Sequence, residues 1–353
     1  VDALMQLAKY HIKNENSAEA EKVIDDYLRL DANNYEALSI KSSILNARKD
    51  FAPAYQLAEK MVNLYPEKDN GYIQSVPALM SQREIDKAIG LLDTGYEKTG
   101  SLQLLRVSAV VHVSAGKAAD AVAMLQSASE KDNSEQLLLL LADAHLANQD
   151  NEAAIKVLKD SITQDKTRIE SYLALASVYS NKKDNEQTIA VLQDGVKANP
   201  DDTKLGITLA GYYEKVGNID YAIKHYEYIL ADRPENLIAN NNLASLLADH
   251  RTDEASLKRA KEIADILKYV NQPVVLDTVG WVYFKTGNIT DAIVVLEKVV
   301  AAQPNTPIFS YHLGMAHHKA GNSDEARKYL EAALSSGNEF DGRDVAEATL
   351  NSL

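Results

Sequence analysis

Apolar residues recur at helical spacing through stretch after stretch of this chain, and each stretch closes on a glycine, a proline or a polar cluster. Laid on a ruler of about 34 residues, the stretches fall into register. Repeat starts lie near residues 1, 35, 69, 102, 135, 169, 203, 237, 273 and 307, so repeats cover residues 1–340. Each repeat is predicted to be two antiparallel helices, A and then B.

Two columns of small residues support that reading. The eighth position, where helix B crosses helix A, holds Ala8, Ser42, Ala109, Ala142, Ala176, Ala210, Ala244, Gly280 and Gly314, with Val76 as the exception. The twentieth, its counterpart on helix B, holds Ala20, Ala54, Ala88, Ala121, Ala154, Ala222, Ala292 and Ala326, with Thr188 as the exception. Close helix crossing requires both columns. Gly116, Gly217, Gly287 and Gly321 stand where a tight A–B turn is needed, and Pro66, Pro200, Pro234 and Pro304 stand where helix B must stop.

Leu276, Val279, Gly280, Tyr283, Ala292, Leu296 and Pro304 match the signature W-x2-L-G-x2-Y, A-x3-F, P, so the chain resembles the tetratricopeptide repeat (TPR) family. The resemblance implies an all-α, right-handed α-solenoid of about ten helix-turn-helix units. It also implies helix A on the concave side and a non-catalytic protein-interaction scaffold. Neighbouring repeats would share one continuous core and form a single elongated array. The repeat from Leu237 has a longer loop, His250 to Glu254, and its helix B is expected from Ala255 to Tyr269. Residues 341–353 carry Ala346, Leu350 and Leu353 on one face and read as a C-terminal capping helix.

The segments Asn242–Ala248, Leu276–Tyr283 and Tyr311–Ala316 resemble bacterial arrays of the exopolysaccharide-export and PEP-CTERM protein-sorting systems, many of them envelope lipoproteins. That resemblance implies assembly of an envelope complex, with the protein periplasmic or membrane-anchored through a segment ahead of Val1. A cytoplasmic location is the alternative. Two other roles stay open: a regulatory or substrate-presenting arm of a larger enzyme such as a glycosyltransferase, and a self-associating module.

Composition narrows the partners. A net charge of −14 argues against nucleic acid, which needs a basic stripe to neutralise phosphates. The absence of cysteine removes disulfides and thiolate chemistry. No apolar run approaches the roughly 20 residues of a membrane span.

The motifs of catalysis are missing too: there is no G-x-S-x-G, G-x-x-x-x-G-K-[ST], G-x-G-x-x-G or H-E-x-x-H. His11, His112, His145 and His317 all occupy the eleventh repeat position, which marks them as packing residues rather than metal ligands. No catalytic residue, cofactor or metal is expected.

The concave face is therefore the expected site, lined in this family by the second, fifth, ninth and twelfth positions of helix A. It contributes Arg106, Leu139, Asp143, Glu170, Leu173, Ile207, Glu214, Asn241 and Ser245, then Asp277, Trp281, Phe284, Tyr311 and Met315. Aromatic and methionine side chains suit an apolar or amphipathic partner segment, and the carboxylates suit basic neighbours. Two readings of the last cluster are open. It anchors a partner, or Trp281 and Phe284 pack against the C-terminal helix or the next repeat.

Overall fold

A computed structural model describes residues 2–335, 337 and 339–353, and among them every regular element is an α-helix. The contacts divide the chain into two compact units, Val1–Val178 and Tyr179–Leu353. The continuous periodicity predicts one array, whereas the structure divides into these two units.

In the first unit the helices are α1 (Asp2–Lys13), α2 (Ser17–Leu30), α3 (Tyr35–Ala47), α4 (Phe51–Leu64), α5 (Asn70–Ser81), α6 (Ile85–Thr99), α7 (Leu102–Ser114), α8 (Ala118–Ser129), α9 (Glu135–Ala147) and α10 (Asn151–Gln164). The unit boundary falls inside α11 (Ile169–Asn181). The second unit continues with α12 (Asn185–Ala198), α13 (Thr203–Lys215), α14 (Ile219–Asp232), α15 (Leu237–His250), α16 (Glu254–Leu267), α17 (Pro273–Lys285), α18 (Ile289–Ala302), α19 (Pro307–Ala320), α20 (Ser323–Ser335) and α21 (Arg343–Ser352). Helices pair as successive antiparallel hairpins, the local geometry of an α-solenoid. The repeat start expected at Val1 lies outside the described residues.

Local chemistry sets the helix ends. Asn34, Asp150, Asp184, Asp202, Asn236 and Asp253 each accept a hydrogen bond from the backbone N–H three residues on, at 2.8–3.1 Å. That satisfies a donor which the first helical turn leaves open. Asp253 thereby starts α16 at Glu254, and the helix ends at Leu267 rather than running to Tyr269.

The A–B turns share one backbone device. Gly116, Gly217, Gly287 and Gly321 adopt left-handed φ, and so do Glu15, Lys49, Arg83, Gln149 and Lys183 in the corresponding turns. Arg251, in the lengthened loop, is extended with φ of −125°.

Packing explains the small-residue columns. The alanines at both crossing positions are buried, and Ser42 at one crossing donates from Oγ to the Ala54 carbonyl at 3.1 Å. At the α17–α18 crossing, a Cβ on Gly280 would lie 2.5 Å from Leu296 Cγ, so only glycine fits there without moving that leucine. Leu296 is wholly buried, a burial that contributes about 1.5–3 kcal/mol.

Candidate functional site

In the first unit, Arg106, Asp143 and Glu170 are exposed, and Leu139 and Leu173 are half-buried. Although Asp143 is exposed at the surface, crowding by its surroundings partly desolvates the carboxyl and pushes it above its ordinary range, and the nearby Arg106 guanidinium opposes that rise. Towards the N-terminus of this unit, helix-A side chains bond to one another across neighbouring repeats. Lys9 pairs with Glu36 at 2.7 Å, and Asn70 Nδ2 donates to Ser39 Oγ at 3.0 Å. Asn46 Nδ2 donates to the Gln74 carbonyl and to its side-chain Oε1, at 2.9 and 2.8 Å.

The second unit is organised differently. A cavity of about 410 Å³ opens between α15, α17, α19 and the turn before α21. Four residues expected from the sequence line it: Ser245, Asp277, Trp281 and Tyr311. Asp249, His250, Thr278, Lys285, Ile308, His312, Asp341 and Gly342 complete the wall. Ile207 and Asn241 are half-buried and Glu214 exposed, all outside this lining.

The aromatic cluster is not an open face. Trp281 is 7% exposed and Tyr311 5%, and with Leu330, Ala333 and Ala346 they form a buried core. Phe284, Ile308, Met315, Phe340, Leu350 and Leu353 pack around that core. Of the two readings open for Trp281, Phe284, Tyr311 and Met315, packing with the C-terminal helix is the one the structure shows. Their apolar surface is covered by the C-terminal segment, which removes it from water as a partner would.

Polar partners fix the tryptophan. Phe284 stacks against it at 4.8 Å between ring centroids and His312 at 4.0 Å. Its Nε1 donates to Asp249 Oδ1 at 2.7 Å. Asp277 is likewise no free groove carboxylate: it is 7% exposed, and His312 Nδ1 lies 3.0 Å from both of its oxygens. Burial pushes the Asp277 carboxyl upward, while His312 pulls it back. A buried acid held this way orients its histidine and serves the fold first.

The cavity wall carries Asp249, Asp277 and Asp341 together with Lys285. Glu214, on α13, is held above the usual carboxylate range mainly by burial; His250 opposes this, and Asp341 and Asp249 add to it. Lys285, 3.4 Å from Asp249 Oδ1 and 5.0 Å from the centre of the Trp281 ring, offsets part of that charge. Among the described residues, no group of three or more histidines and carboxylates is arranged to hold a metal ion.

His112 and His317, at the eleventh repeat position, are buried, and His11 and His145 are half-buried. His317 stacks on Tyr329. Sequence reasoning missed Asp249 and His312. The available signal was spacing: Trp281 meets Asp249 across 32 residues and His312 meets Asp277 across 35, each about one repeat period.

Family models described as tetratricopeptide repeat match residues 107–168, 169–202 and 280–339. A curated TPR repeat-containing protein of Pseudomonas aeruginosa is 28% identical over 115 residues, which is 33% of this chain and 19% of that protein. The chain thus spans about a fifth of the length of that relative. A tetratricopeptide repeat protein from Parabacteroides merdae aligns with 70% of this chain and 97% of its own, at 17% identity and a TM-score of 0.47. In the Cut9–Hcn1 hetero-tetramer of APC/C, the aligned chain covers 97% of this one and 74% of its own, at 12% identity and a TM-score of 0.48. Among the described residues, no helix is long and apolar enough to cross a membrane.

Proposed function

We propose that this protein is a scaffold whose second unit holds a segment of a partner protein against helices α15, α17 and α19, with a basic side chain of that segment seated in the acid-rimmed cavity. The observation that carries this reading is the cavity itself. It has the volume of a side-chain pocket, an apolar wall of Ile308 and Tyr311, and Asp249 and Asp341 at its edge. The Glu214 carboxyl is raised first by desolvation, and Asp341 and Asp249 add to that rise, which an incoming cation would oppose. Charge complementarity of this kind selects partners and speeds encounter more than it adds affinity.

The test is a panel of fluorescent amphipathic peptides, identical except for arginine, glutamine or glutamate at the central position, titrated by anisotropy. The arginine peptide is expected to bind most tightly, with a preference that weakens as salt rises. Equal binding of all three would remove the basic-residue assignment.

The same reading extends to assembly of an exopolysaccharide or protein-sorting complex at a bacterial envelope. Its support is the resemblance of the last hundred residues to such arrays. Fractionation of cells carrying the native gene checks it: recovery with the membrane or periplasm is expected, and recovery in the cytosol alone would contradict it.

A further inference from the structure

The covered aromatic surface of the second unit faces a helix of its own chain, and the contacts show what that surface accepts. Phe340 lies against Tyr311 with ring centroids 5.5 Å apart. Ala346 is 0% exposed, and Leu350 and Leu353 pack into the same cluster from one face of α21. Gly342, at the start of that helix, has φ of +94°, and a Cβ there would stand 2.6 Å from the Tyr311 ring. The tail therefore docks through an aromatic residue, a glycine turn, a small residue and two leucines.

α21 is ten residues long, shorter than the ~12–15 residues at which isolated helices become even marginal in water. Its helicity depends on this docking. An element of that kind exchanges on and off its site more readily than a helix within a repeat. Its receptor combines Leu330 and Ala333 of α20, the helix it packs against most, with Tyr311 and Met315 of α19 and Trp281 and Phe284 of α17.

We infer that the apolar surface formed by α20 with the aromatic side chains of α19 and α17 is a receptor for a short amphipathic helix, that α21 occupies it in cis, and that a partner helix presenting the same aromatic, small, leucine, leucine face enters by exchange with α21. This rests on the proposed role of the second unit as the docking unit. The tail then sets the threshold for binding, because apparent affinity is the intrinsic affinity reduced by the fraction of molecules with the site open.

The experiment uses the full chain and a labelled peptide of residues 339–353 as the probe. Ala346→Asp places a charge at a wholly buried contact and is expected to release the tail. Trp281, the only tryptophan, should then shift its emission to the red. The wild-type peptide should bind this variant saturably, restore the blue emission and bind wild-type protein at least about tenfold more weakly. A peptide carrying the same Ala346→Asp change should not bind. Should Ala346→Asp lose its native circular dichroism, Gly342→Ala supplies a second released variant, since its clash is confined to the tail and Tyr311.

Absence of peptide binding to a folded, released variant would overturn the inference, as would equal binding to wild type. A dimer that grows with concentration and dissolves on adding peptide would assign the surface to a second copy of this chain and overturn the partner assignment. The probe carries Glu339, Asp341, Asp344 and Glu347 against Arg343 alone, so its capture does not draw on the acidic rim. Failure here therefore leaves the arginine-pocket reading standing, whereas release of the tail also carries Asp341 and Gly342 away from that pocket, so arginine preference is measured separately on the tail-docked protein.

Discussion

The helix-A faces of the two units use similar residue types to different ends. Towards the N-terminus, Lys9–Glu36, Asn70–Ser39 and Asn46–Gln74 join one repeat to the next, so these polar groups are largely engaged with one another. In the second unit the carboxylates are divided. Asp277 is consumed by His312, while Asp249, Asp341 and Glu214 gather where their charges reinforce one another. The aromatics are likewise committed to a core under the tail. The periodic pattern of the array is broken here by residues that do not repeat: the single tryptophan, the lengthened loop and the terminal helix.

The largest expected effect separates the units directly. Trp281→Ala removes a buried, doubly stacked ring and should destabilise the second unit by about 3–5 kcal/mol in urea unfolding. Arg106→Ala, at an exposed position of the first unit, should stay within about 0.5 kcal/mol of wild type. Equal small effects would mean that the tryptophan is not a core residue.

Next in size is a gain rather than a loss. Gln149 holds a left-handed φ of 62° in the α9–α10 turn, where a side chain costs about 1 kcal/mol relative to glycine. Gln149→Gly should raise the stability of the first unit by about that amount, read as slower amide exchange in α9 and α10.

Acid should sharpen the contrast. Burial lowers the His317 and His225 imidazoles, both in the second unit, below their unfolded value near 6.5. A depressed histidine contributes stability that is complete above about pH 6.5 and is lost as pH falls through the folded value. The neighbouring Asp277 and Glu214, raised by burial, act in the opposite sense: their contribution is present at low pH and is lost as pH rises through their folded values. His317→Gln should therefore flatten the loss of stability below about pH 6.5, on top of a pH-independent cost from the lost stacking on Tyr329. An unchanged slope would show that His317 is not responsible.

A smaller effect tests the field at the cavity. Asp341→Asn should lower the Glu214 titration measured by NMR, because one of the charges raising it is gone. Asp143 in the first unit should titrate as before.

Much of this was legible in the sequence. Helical spacing and the two small-residue columns identify stacked hairpins, because a crossing such as Gly280 over Leu296 admits nothing larger. Turn glycines were visible, but Glu15, Lys49, Arg83, Gln149 and Lys183 adopt the same left-handed backbone without a glycine to announce it. The fate of Trp281 was not legible. Helical periodicity locates it on a face, whereas its burial depends on where a tail some sixty residues further on comes to rest. Asp249 was hidden for a related reason, since its role appears only when adjacent repeats are aligned by one period and Trp281 is found opposite it.

The central claim, that the second unit's acidic cavity selects a basic side chain, is tested most directly by a double-mutant cycle. Binding of the arginine and glutamine peptides is measured against wild type and Asp249→Asn/Asp341→Asn, with Asp143→Asn in the first unit as control. The account predicts that the arginine preference falls by roughly threefold or more in the double variant and is unchanged in the control, as expected for partly exposed ion pairs. An arginine preference that survives in the double variant, or that disappears with Asp143→Asn, would contradict it.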